Sequence, residues 1–133
     1  MYYTRTKDEY MPYTVKFLDG EGIVEIVVVG ELTIEDYIKL IEDAVDMLLQ
    51  KNTRLLYLDT SDLSASIKAT EILSIPDLWE SIGVSRTNKL AVLIPKDESL
   101  HEDIKFFENV SRNRGWQVKL FDKKDDAFEW LLK

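Results

Sequence analysis

The sequence predicts an α/β fold: a mixed, mostly parallel five-stranded sheet with an N-terminal β-hairpin followed by βα units. Three observations lead there. Two strand-length runs, Tyr13–Leu18 and Ile23–Val29, flank the glycine-bearing turn Asp19-Gly-Glu-Gly22, which is hairpin chemistry. Three further apolar runs, Arg54–Leu58, Lys89–Ile94 and Trp116–Phe121, alternate with segments of helical spacing. Strands alternating with helices imply right-handed crossovers between parallel strands. Finally, 133 residues with 45% hydrophobic content and no linker, repeat or low-complexity stretch suit one domain. It spans residues 13–133, after an N-terminal arm at 1–12.

Each element has a local reason. Residues 1–12 are polar with scattered tyrosines and end at Pro12, reading as a frayed arm or an added edge segment. Tyr13–Leu18 alternates apolar and polar, as a half-exposed strand does. Ile23–Val29 is apolar on both faces, so it is expected to be central and covered on both sides. Its exception, Glu25, is expected near an exposed end. Thr33 is an N-cap, with Asp36 three residues on in a variant of the capping box. Ile34, Tyr37, Ile38, Ile41, Val45 and Leu48 then form one helical stripe. Leu40, Ala44 and Met47 widen it.

Arg54–Leu58 is the next buried strand, ending at Asp59. Thr60–Ser66 is rich in turn formers and is expected to be a loop. Ile67–Leu73 reads as a short helix. Pro76 lacks a backbone N–H, so a second helical piece is expected to start there and to end at Gly83. Lys89–Ile94 is stopped by Pro95. Asp97 or Ser99 caps a helix with the stripe Leu100, Ile104, Phe107 and Val110, ended by Gly115. Trp116–Phe121 alternates as an edge strand does, and Asp125–Leu132 is the last helix.

The charge excludes several function classes. There are 25 acidic and 17 basic side chains, a formal charge of −8. Such a chain, with no basic stripe, repels phosphate backbones and anionic lipid, so nucleic acid is not an expected partner. No apolar run approaches the ~20 residues that span a bilayer, and the N-terminus lacks a signal-peptide core; a cytoplasmic location is expected. Cysteine is absent and His101 is the single histidine. Thiolate chemistry and multi-histidine metal centres are therefore excluded. Residues 31–51 hold six carboxylates against Lys39 and Lys51, half the net charge. That face is expected to stay wet.

Function in parallel α/β sheets collects at the carboxyl ends of strands. Here that edge offers Asp59, Thr60, Ser61 and Asp62, then Pro95, Lys96 and Asp97, then Asp122. The spacing Asp59-Thr-Ser-Asp62 is one residue too long for an aspartyl phosphotransfer pair, so Asp59 and Asp62 read first as loop caps. A Mg²⁺-dependent phosphate enzyme built on Asp59 is the least favoured reading. Glycine-rich phosphate loops and nucleophile elbows are absent. His101 reads as a solvated surface residue. Trp79, Trp116 and Trp130 fall on core faces, and Trp79, beside Pro76, is the tryptophan to consider for a ligand pocket or interface.

Four stretches carry a resemblance: Gly30-Glu-Leu-Thr-Ile-Glu-Asp36, Leu55-Leu-Tyr-Leu-Asp59, Lys89-Leu-Ala-Val-Leu-Ile94 and Phe121-Asp-Lys-Lys-Asp-Asp-Ala-Phe-Glu-Trp-Leu131. In this order and spacing the chain resembles the SpoIIAA-like family of STAS-type modules over roughly residues 13–133. The resemblance implies a non-enzymatic binding or regulatory module, often recognising a protein partner. Some relatives resemble the lipid-binding Sec14-type fold, which implies a small apolar, lipid-like ligand as the alternative. The chain departs from the family's phosphorylated Asp-Ser-(Ser/Thr)-Gly motif. Ser66-Ile-Lys-Ala69 stands there, with Ile67 at the phosphoacceptor place and Ala69 at the glycine. Ser61, Ser64 and Ser66 are the substitutes.

The resulting expectation is a non-catalytic interaction module without cofactor or metal, self-associating as a dimer. Its partner or ligand candidates are Asp59, Thr60, Ser61, Asp62, Ser64, Ser66 and Trp79. The recognition surface is placed on Thr60–Gly83. Self-association is expected to avoid Glu35, Glu42 and Asp46 and to use the Leu40/Met47 flank or Thr60–Gly83.

Overall fold

The computed structural model describes Tyr2–Tyr3 and residues 12–133. The expectation for the N-terminal arm therefore lies mostly outside the described residues. Tyr2–Tyr3 forms a two-residue strand, β1, antiparallel to β2 (Tyr13–Leu18). The five expected strands follow as β2 to β6, so β1 makes the sheet six-stranded in the order β1-β2-β3-β4-β5-β6. β3 (Ile23–Glu31) pairs antiparallel with β2 and parallel with β4 (Leu55–Ala65). β5 (Lys89–Leu93) and β6 (Gln117–Phe121) continue in parallel.

Helix α1 (Ile34–Lys51) begins as its sequence dictates. Thr33 Oγ1 accepts from the Asp36 N–H at 3.1 Å, and Asp36 Oδ2 accepts from the Thr33 N–H at 3.0 Å. These reciprocal bonds satisfy donors that the first turn leaves free. α3 (His101–Asn113) follows a short 3₁₀ turn, Glu98–Leu100, capped by Asp97. Two hydrogen bonds from Ser99 hold the Asp97 carboxyl below its usual range. α4 (Lys124–Leu131) closes the chain. Gly115 turns the chain out of α3 at φ +89°, a value glycine tolerates best, with the Arg86 side chain close above it.

One core lies between the sheet and α1–α3, built on Val24, Ile26 and Val28 of β3 with Leu48, Val92, Phe107 and Trp116. A smaller core under α4 joins Ile23, Tyr57, Ala91, Ala127 and Leu131. The main face of β3 is thus buried at Val24, Ile26 and Val28, whereas its other face is buried only at Ile23 and opens to Val29 at 48% exposure, so the expected cover on both sides holds only where the strand begins.

Four other expectations change. Thr60–Ser66 is not a loop, because β4 runs on through Ala65. Pairing explains it: Val27 faces Asp59 while Val29 faces Asp62, so β4 carries one extra residue there, and a second before Ala65. A bulge of this kind flips the alternation. It lets Leu63 join Leu58 in the main core, although an odd spacing would send them to opposite faces. Second, Ile67–Gly83 is not two helices but one, α2 (Ala69–Ser81), with Pro76 inside it. The Pro76 ring is fully buried, so its packing offsets the missing hydrogen bond. Third, Glu25 is not at an open end. Its side chain is 13% exposed and lies 3.3 Å from Lys124 Nζ of α4. Fourth, Leu40 and Met47 are buried in the protein's own core at 4% and 1% exposure, so that flank offers no surface for self-association.

Candidate functional site

The three helices on the main face do not cover it evenly. α1 packs on β2 and β3, α3 on β6, and α2 leans chiefly on α3 rather than on a strand. The middle of the sheet is therefore roofed at a distance. Leu56 of β4 and Leu90 of β5 show the result, because both belong to central strands yet are only partly buried. An apolar pocket of about 80 Å³ occupies this gap. Ile26, Leu56, Leu58 and Leu90 form its floor, Leu40, Ala44 and Leu48 one wall, and Ile75, Trp79 and Phe107 the roof. A second cavity of about 40 Å³ adjoins it toward the carboxyl ends of the strands, bounded by Leu63, Ile67, Ile72 and Leu100. Tyr37, Leu58, Ile75 and Phe107 line both.

The walls are rigid where aromatic rings meet edge to face. Trp79 stands against Phe107 at 5.7 Å and against Trp116 at 5.3 Å between ring centroids. Arg86 caps this cluster from outside, its guanidinium 4.4 Å from the Trp116 ring and its Nε donating to the Arg114 carbonyl at 3.2 Å. Polar groups are few: Asn88 and Gln117 at the end where β5 and β6 begin, Ser66 and Asp103 at the other, and the Tyr37 phenol between. Burial pushes the Tyr37 pKa up to about 12. Apolar walls with a few placed polar groups are the usual composition of a small-molecule site.

The residues singled out in the sequence divide. Trp79 lines the larger cavity and Ser66 the smaller. Ser66 Oγ donates to Asp103 Oδ2 at 2.6 Å. Asp59 accepts from the Ser61 N–H at 2.9 Å and from its hydroxyl at 2.6 Å, a local cap rather than an approach to Asp62. Asp62 instead faces Lys96 at 3.3 Å on the surface. Thr60 is wholly buried and donates to the Leu93 carbonyl at 2.5 Å, so it holds β4 to the end of β5. Ser64 is exposed beside these strands. Ile67, at the place of a phosphoacceptor, is 7% exposed and part of the core. His101 is not free in solvent; its Nε2 lies 2.7 Å from the Pro95 carbonyl. Among the described residues, no group of three or more carboxylates or histidines is arranged to hold a metal, and no helix is long and apolar enough to cross a membrane.

Sequence reasoning missed Tyr37, Asn88, Leu90 and Gln117 as pocket residues. For Tyr37 the signal was present, a phenol set among aliphatic residues on the inward stripe of α1.

Comparison with known proteins agrees with this architecture. A search of the curated proteins found no match. Among solved structures, an uncharacterized protein of the DUF3478 family with a SpoIIAA-like fold, from Shewanella loihica PV-4, superposes with a TM-score of 0.57. The two are 19% identical, over 88% of this chain and 90% of that one. The SpoIIAA-like family model matches residues 23–132, a span that runs from the central strand β3 through α4 and contains every wall of the pocket, and the chain therefore belongs to the SpoIIAA-like family.

Proposed function

We propose that this chain is a non-catalytic binding module that carries a small apolar, lipid-like molecule between α1, α2 and the sheet. One observation carries the reading: two central-strand leucines, Leu56 and Leu90, are left partly uncovered beneath an apolar pocket. Burying central leucines is normally among the strongest contributions to a core, at about 1.5–3 kcal/mol for each. A guest that completes their burial recovers what the fold forgoes. The size bounds the guest. About 80 Å³ is roughly half of the ~150 Å³ cavity that accepts benzene, so it suits a short hydrocarbon segment, and a longer one requires α2 to rise.

Protein recognition is the second reading, favoured by Leu73, which lies 42% exposed on the same helix that roofs the pocket. A partner that docks on α2 would sense whether the pocket is filled.

The test is native mass spectrometry of the protein purified without denaturation, with a titration of the stripped protein by 2-octanone followed through Trp79 and Trp116 fluorescence. The expected result is a mass adduct removed by organic extraction and a saturable fluorescence change. A clean apo mass together with no saturation at millimolar ketone overturns the carrier reading.

A further inference from the structure

The pocket reading leaves the polarity of the guest open, and this inference rests on that reading. Side-chain donors on the pocket linings are Tyr37, Ser66, Trp79, Asn88, Trp116 and Gln117, and Ser66 is engaged, donating to Asp103 Oδ2 at 2.6 Å. Gln117 Nε2 is engaged, donating to the Arg86 carbonyl at 3.1 Å. The Trp116 indole N–H is sealed in the protein without a partner among the described residues, under the stacked Arg86 guanidinium. Tyr37 differs from these three. It lines the larger and the smaller cavity at once, and its hydroxyl, on a half-buried residue, is not among the sealed groups as the Trp116 N–H is. A donor that is not sealed off and lines both cavities is placed to meet a guest.

We infer that Tyr37 anchors the guest by donating its phenolic proton to a carbonyl oxygen, so that the pocket selects neutral carbonyl-bearing hydrocarbons, such as ketones and esters, over plain hydrocarbons. Three points fit. A tyrosine phenol is protonated, and so a donor, at neutral pH. A carboxylate head is disfavoured, because no lysine or arginine lines either cavity while Asp103 borders the smaller one, and an unpaired buried anion is expensive. The position of Tyr37 where the cavities meet gives the chain on either side of a carbonyl an apolar channel to occupy.

The experiment compares Tyr37→Phe with the wild type for two guests of equal length, 2-octanone and n-octane, by tryptophan fluorescence, with circular dichroism to verify the fold. Loss of a net hydrogen bond predicts about 5- to 10-fold weaker binding of the ketone and unchanged binding of octane. An equal loss for both guests, or no loss for either, overturns the anchor while leaving the carrier reading intact. Failure of the wild type to bind either guest overturns the carrier reading itself.

Discussion

Thr60 and Tyr57 show how differently two buried hydroxyls act. The Thr60 hydroxyl bonds the Leu93 carbonyl where β5 ends, so Thr60→Val leaves a buried acceptor unpaired. The expected cost is about 1–3 kcal/mol in urea denaturation, with 2-octanone binding unchanged because Thr60 lines neither cavity. A binding loss without a stability loss would return Thr60 to the list of recognition residues. Tyr57 is the reverse case. Its hydroxyl is buried without a partner among the described residues, so Tyr57→Phe removes a penalty and is expected to stabilise by up to about 1 kcal/mol. Burial raises the Tyr57 pKa, and the Asp59 and Glu25 carboxylates add to that. A raised folded pKa means that stability is intact below the ordinary value of 10.0 and is lost as pH rises beyond it. The gain from Tyr57→Phe should therefore widen above pH 10, which denaturation midpoints at pH 8 and pH 11 will show.

Elements were legible where local chemistry and pairing agreed. α1 could be placed from Thr33, Asp36 and its stripe, and the observed helix starts one residue after Thr33 with both capping bonds made. β4 beyond Asp59 and the single α2 were not legible, for one common reason: residues that favour turns or break helices are overruled by contacts distant in sequence. Asp59 and Asp62 are poor strand formers, yet the long end of β3 pairs Val27 with Asp59 and Val29 with Asp62 across the bulge. Pro76 is a helix breaker whose ring is buried against the core. β6 presents a further device of this kind. Edge strands invite unwanted pairing, and here Glu108 of α3, only 9% exposed, accepts the Leu120 N–H at 3.0 Å. Glu108→Ala frees that donor. It is expected to cost about 1–3 kcal/mol and to produce concentration-dependent association in sedimentation velocity. Glu108→Gln, which keeps an acceptor, should show neither, and identical behaviour of the two variants would remove the capping role.

For the whole molecule, the acidic surplus and the pocket pull in different directions. Glu35, Glu42 and Asp46 are exposed on α1 as the charge pattern requires, so this face of the helix stays wet while its other face walls the pocket. An apolar pocket between the Ile67–Ile82 segment and the sheet was legible from the Pro76 break, but its α1 wall and its size were not, because they arise from the stance of α2 relative to the sheet, and no stripe on a single helix encodes the distance between two elements. Trp79 was the one site candidate whose neighbourhood, beside Pro76, pointed toward it. Keeping such a gap has a cost. Leu56 and Leu90 stay only partly buried beneath it, and apolar surface left uncovered forfeits about 25 cal/mol per Å². A fold kept for stability alone would fill it, and a single substitution suffices to try. Ala44 is buried at 4% exposure on the α1 wall, and leucine suits a helix nearly as well as alanine. Ala44→Leu is therefore expected to raise stability by about 1 kcal/mol and to abolish saturable 2-octanone binding together. That opposition between stability and binding is what a functional void predicts. If Ala44→Leu instead destabilises the protein and leaves ketone binding intact, the gap beside Ala44 is already packed and is not where the guest sits.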